Sequence, residues 1–112
     1  MKFNHHIKDN VCIMRIEGEI LRQQIDKLET HIRQLLEIPN VEAFIVNLKK
    51  MTYLSSPGVG LLMTFYKRVQ KLEKGFGFCH LDDEVQQTFK ATKLDLIVKI
   101  YDTEEEAIAA QK

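Results

Sequence analysis

Val46-Asn47-Leu48-Lys49-Lys50-Met51-Thr52-Tyr53-Leu54-Ser55-Ser56-Pro57-Gly58-Val59-Gly60-Leu61-Leu62 carries both the fold and the candidate function of this chain. Phe44 to Leu48 is a short apolar run, preceded by Pro39-Asn40 and followed by two lysines, which reads as a buried strand. Ser-Pro-Gly then precedes a long segment of helical periodicity. Serine ahead of proline is a helix-start signal: the hydroxyl accepts from an orphan backbone N–H, and proline has no donor to leave unsatisfied in the first turn. The spacing therefore predicts a strand-to-helix loop at Ser55 and Ser56, with Ser56 as the cap. A hydroxyl there sits at the positive end of a helix dipole, where an anion is favoured.

Outward from that stretch, the chain alternates strands and helices. Phe3–Lys8 and Val11–Glu17 flank Asp9-Asn10, a pair suited to the positive φ of a tight hairpin turn. Both faces of the second arm are largely apolar, so cover on both sides is expected. Gly18-Glu19-Ile20-Leu21 reads as a loop into a helix of roughly four turns, with Ile25, Leu28, Ile32, Leu35 and Leu36 as its apolar stripe and Pro39 as its end. After a strand at Val41–Leu48, the second helix should run to about Lys74 and stop at Gly75. Leu62, Phe65, Val69 and Leu72 form its sheet-facing stripe, with Val59, Met63 and Tyr66 on a shoulder beside it. Phe76–Leu81 reads as a strand, Asp82-Asp83-Glu84 as the acidic start of a helix carrying Val85 and Phe89, and Leu96–Tyr101 as the last strand. Thr103 and Glu106 stand at capping-box spacing for a final helix. The order ββαβαβαβα implies one α/β domain over residues 1–112, with a mostly parallel sheet apart from the opening hairpin.

Bulk properties narrow the function. Sixteen basic and sixteen acidic residues balance, so no net field draws nucleic acid or an anionic membrane. No apolar run is long enough to span a bilayer and the N-terminus lacks a signal-peptide core, which points to a soluble, cytoplasmic protein. Cys12 and Cys79 fall inside expected strands and read as buried reduced thiols. The four histidines have no ligand spacing with one another or with the cysteines, so neither a metal nor a cofactor is expected. A hydrolase reading has one foothold, because Ser56-Pro57-Gly58 is half of a nucleophile elbow. However, Leu54 occupies the place of its first glycine, and His80 follows with only Glu73 as an intervening acid. A non-enzymatic binding module is expected.

The motifs resemble those of the STAS domain, the fold of bacterial anti-sigma-factor antagonists, over nearly the whole chain. Gly18-Glu19-Ile20 is similar to that family's Gly-Glu-Leu turn. Tyr53-Leu54-Ser55-Ser56-Pro57-Gly58-Val59-Gly60 falls on its Asp-Ser-Ser-Gly-Leu-Gly segment. Phe78-Cys79-His80-Leu81, Thr92-Lys93-Leu94-Asp95 and Ile100–Ala107 follow in the family order. The resemblance implies a partner switch: a serine kinase that is also the anti-sigma factor binds the unphosphorylated domain and releases it after phosphorylating the serine that opens the second helix. That serine aligns with Ser56, and Ser55 is the neighbouring alternative. Leu21, Asn47 and Ser55 stand where the family carries aspartate. The expected partner surface is Leu21, Arg22, Ser55, Ser56, Pro57, Val59 and Met63. A second reading is a STAS subunit docked permanently on another machine, such as a lipid-transport ABC ATPase, with no phosphate involved.

Overall fold

The computed structural model describes residues 2–111. β1 (Lys2–Lys8) and β2 (Val11–Ile20) form the antiparallel hairpin, and Asp9 and Asn10 both take positive φ (54° and 64°). A 3₁₀ turn at Arg22–Gln24 leads into α1 (Ile25–Leu36). Then come β3 (Ala43–Asn47), β4 (Met51–Leu54), α2 (Ser56–Lys71), β5 (Gly75–Cys79), α3 (Asp83–Ala91), β6 (Ile100–Tyr101) and α4 (Glu104–Ala109). The sheet runs β1-β2-β3-β5-β6, with every pair after the hairpin parallel, and β4 pairs with the far end of β2.

Strand alternation divides the core between two faces. Cys12, Met14, Ile16, Phe44, Val46, Phe76 and Phe78 meet Leu28, Ile32 and Leu35 of α1, Leu62, Phe65 and Val69 of α2, and Val85 and Phe89 of α3. Phe44, Phe65, Phe76, Phe78 and Phe89 continue edge to face through this layer, with successive centroids 5.1–5.6 Å apart. On the opposite face Val11, Ile13, Ala43, Ile45 and Cys79 bury Ala107 and Ile108 of α4. The two-sided cover expected for β2 is therefore present.

Four differences from the sequence reading bear on the site and the core. First, Gly18-Glu19-Ile20 is not a loop but the end of β2, paired with Met51, Tyr53 and Leu54 of β4 across a bulge at Gly18 (φ 83°). The observed order is thus ββαββαβαβα, with a strand inserted ahead of the serines. Second, α2 ends at Lys71 with Leu72 as its C-cap, and Glu73 just beyond takes the left-handed conformation (φ 59°), which leaves Gly75 free to begin β5. Third, Leu72 is 48% exposed at that end and lies outside the sheet-facing stripe. Fourth, the last strand shrinks to Ile100–Tyr101. Lys93 turns left-handed after α3, and the N–H groups of Ile97 and Val98 donate back to the Leu94 carbonyl, so an apolar run that reads as strand is coiled into a turn.

Candidate functional site

β4 delivers the serines. Its last residue, Leu54, pairs with Ile20, and the Ser55 N–H donates to the Ile20 carbonyl at 3.3 Å, tying the start of α2 to the end of β2. Ser55 then caps the helix. Its backbone is extended (φ −73°, ψ 161°), its Oγ accepts from the Gly58 N–H at 3.2 Å, and its carbonyl accepts from the Val59 N–H at 3.0 Å. Pro57 occupies the second helical position and adds no orphan donor. The cap is therefore Ser55, not Ser56 as the sequence reading has it. The registers differ by one residue because proline is tolerated at either of the first two helical positions.

Ser56 is left as the first helical residue, exposed, and among the described residues its hydroxyl makes no hydrogen bond. The two neighbouring hydroxyls thus have different standing: one is consumed by the fold, the other is presented to solvent. Gly58 is needed behind them, since a Cβ there would lie 2.8 Å from Leu54 Cδ1 and 3.0 Å from Ile20 Cγ2. Around Ser56, Arg22 and Pro57 are exposed and Leu21 is half-buried. Val59, placed on the partner surface by sequence, is 9% exposed and belongs to the core, because the helix turns that face onto the sheet. Met63 is half-buried against the same core. Sequence reasoning missed Tyr53, which is 53% exposed on β4 three residues before Ser56. An aromatic inside the serine stretch was the available signal, hidden because β4 itself was not anticipated.

The three positions where the resemblance places aspartate have distinct surroundings. Ser55 is the α2 cap. Leu21 precedes the 3₁₀ turn, and its N–H donates to Gln24 Oε1 at 3.2 Å. Asn47, 7% exposed, ends β3 and points away from the serines into a polar cleft of about 440 Å³. There its Nδ2 donates to Glu104 Oε2 at 2.5 Å and its Oδ1 accepts from the Lys49 N–H at 2.9 Å. Arg15 holds the same carboxylate in a two-pronged pair, both contacts at 3.0 Å. His80 Nε2 accepts from the Glu104 N–H at 3.3 Å. Burial alone would raise the Glu104 carboxyl, but the hydrogen bonds from Arg15 and Asn47, with the Arg15 charge, outweigh it and hold the group below the usual carboxylate range.

His80 is thus committed to α4, and among the described residues no hydrogen bond joins it to a serine. Nor do the described residues contain a cluster of three or more His, Cys, Asp or Glu placed to hold a metal ion, or a helix long and apolar enough to cross a membrane. The chemistry left at the α2 start is that of one free hydroxyl beside a helix N-terminus and an exposed aromatic.

The STAS domain family model matches residues 2–107. An anti-sigma F factor antagonist of Paenibacillus polymyxa is 23% identical over 108 residues, covering 96% of this chain and 91% of that one. The crystal structure of an anti-sigma factor antagonist from Mycobacterium paratuberculosis superposes with a TM-score of 0.90 at 24% identity, over 98% of this chain and 92% of that one. The Bacillus cell fate determinant SpoIIAA in its phosphorylated form superposes with a TM-score of 0.75 at 19% identity, over 99% and 100% of the two chains.

Proposed function

The chain belongs to the STAS domain family, and we propose that within it the protein acts as a non-enzymatic anti-sigma-factor antagonist switched by phosphorylation of Ser56. The observation that carries this reading is the division of labour between the two serines. Ser55 is bonded into the helix start while Ser56 is exposed and unbonded. A phosphate adds about −1.5 to −2 charges. On Ser56 it meets the favourable end of the α2 dipole, worth about 0.3–1 kcal/mol, and disturbs no existing bond. On Ser55 it would displace the cap. Covered by a partner, the same dianion left unpaired costs several kcal/mol, enough to change affinity by orders of magnitude. Modification therefore acts on binding and spares the fold.

The partner in this reading is an anti-sigma factor with serine-kinase activity, and its footprint is Arg22, Tyr53, Ser56 and Pro57, with Leu21 and Met63 at the margin. Tyr53 supplies the large, rigid contact typical of binding hot spots. The relatives' names support the partner class, and the phosphorylated state of one of them supports the switch.

The test uses a partner kinase captured on the immobilised chain, then incubated with ATP. Mass spectrometry of the Ser55–Ser56 peptide should show one added phosphate, fragmenting to Ser56. Ser56→Asp should remain folded and lose the partner, Ser56→Ala should bind, and Tyr53→Ala should weaken binding without changing stability. Phosphate on Ser55, or an aspartate variant that binds as well as wild type, refutes the switch.

A further inference from the structure

At the hairpin edge of the sheet, β1 is fastened to α1 by a cluster of aromatic rings. Phe3 and His5 point from β1 to the α1 face, since they pair in the sheet with Ile16 and Met14, both core residues of that side. The ring of His31, in the middle of α1, meets both of them, with centroids 4.7 Å from Phe3 and 5.1 Å from His5. His31 Nε2 is sealed from solvent and, among the described residues, has no hydrogen-bond partner. A neutral imidazole tolerates that position at modest cost. An imidazolium does not, because its second N–H would need an acceptor and, among the described residues, none is bonded at Nε2.

We infer that the Phe3–His5–His31 cluster is an acid-sensitive clasp: proton uptake by His31 frees β1 from α1 while the remainder of the sheet stays folded. Three features argue for local release. β1 is an edge strand with β2 as its sole neighbour in the sheet. Most of its residues are exposed. The charge formed on His31 would also face His5, which is itself able to carry a proton. The other charged groups beside His31 are Asp26 and Lys27 of its own helix, which line the same groove with Phe3, Thr30 and Gln34. They are opposite in sign, and neither is hydrogen-bonded to the ring. From β2, the residues behind Phe3 and His5 are the apolar Ile16 and Met14.

Burial, reinforced by the His5 charge, holds His31 below the ordinary histidine value. The sign follows by linkage. A base with a depressed native pKa binds fewer protons folded than open, so its contribution is intact above the ordinary histidine range and is lost as pH falls through it. Opening the clasp bares the β2 edge, which could accept a strand from another chain.

Amide hydrogen exchange between pH 8 and pH 5, corrected for intrinsic rates, tests this directly. In the wild type, protection of the β1 amides should fall as pH drops below about 6.5, with a slope of at most about tenfold per pH unit (one proton taken up on opening) that levels off below the native His31 value, while β3 and β5 amides keep theirs. In His31→Phe, which keeps a ring but cannot titrate, the β1 profile should be flat. His31→Gln provides the same comparison should the phenylalanine variant fold poorly. A flat wild-type profile, an unchanged slope in both variants, or loss of β3 and β5 protection in step with β1 overturns the inference.

Discussion

Replacing Ser55 by alanine should destabilise the domain distinctly more than replacing Ser56. The magnitude follows from the start of α2. Of its first N–H groups, Pro57 has none, the Val59 N–H donates to the Ser55 carbonyl, and the Gly58 N–H donates to the Ser55 hydroxyl. Removing that hydroxyl orphans the Gly58 donor. Gly58 is buried, so water is a poor substitute, and the loss belongs in the upper half of the capping range, about 1–2 kcal/mol. For a domain of this size that is a fall of about 4–8 °C in Tm, read at about 4 °C per kcal/mol. Ser56→Ala removes an exposed, unbonded hydroxyl and should stay within about 0.5 kcal/mol of wild type. Urea unfolding followed by far-ultraviolet circular dichroism gives both values, and an unchanged m shows that only stability has moved. If Ser56→Ala costs as much as Ser55→Ala, or if Ser55→Ala is neutral, the cap has been assigned to the wrong serine. The argument for Ser56 as the free hydroxyl then fails with it.

Two further outcomes test the polar cleft and the core. Asn47→Asp, which restores the residue the family pattern carries, sets a carboxylate against Glu104 in place of an amide donor and should cost about 1.5–3 kcal/mol at neutral pH. In the wild type the depressed Glu104 carboxyl contributes stability that is present above the usual carboxylate value of 4.5 and lost as pH falls through its native value. The variant's paired acids shift upward and gain from proton uptake, so the deficit measured by urea titration should shrink as pH is lowered. A deficit independent of pH would mean that the two groups do not interact. Burial pushes the Cys12 thiol up to about 11 and the Cys79 thiol to about 12, so neither should react with a disulfide reagent at pH 8 until urea unfolds the chain. Prompt labelling of the native protein would contradict their place in the core.

The layer of three helices was legible because α1 and α2 have clean stripes and the strands between them are continuous apolar runs. β4 was not legible. Met51-Thr52-Tyr53-Leu54 is four residues long and follows a lysine pair that reads as loop, and its pairing depends on the bulge at Gly18, whose partner Met51 lies 33 residues further on. The same omission hid Tyr53. Val59 was misplaced because a helical wheel gives angles and not the reach of the core, which at this end of α2 extends to Val59. Arg15 and Glu104 escaped notice for another reason. They are 89 residues apart, and nothing in either local pattern marks them as partners.

The three positions where the resemblance places aspartate bear on the proposed switch, and their surroundings differ. Position 55 is a helix cap, and serine is as good a cap there as aspartate, so that exchange preserves the local geometry while removing one negative charge. Position 21 leads into the 3₁₀ turn, where leucine cannot cap; the Gln24 side chain instead satisfies its N–H, which keeps the turn beside the serines. Position 47 is engaged in the polar cleft with Glu104, where an amide donor is required and a carboxylate would be repelled. The residues at positions 55 and 21 thus keep the backbone beside Ser56, and all three positions carry no acid. With those acids gone, a kinase that recognises this chain has to rely more on shape and on Tyr53 and Arg22 than on attraction to carboxylates. Its affinity should then depend only weakly on salt. A steep loss of binding between low and physiological ionic strength would place the recognition on charges elsewhere and count against this footprint.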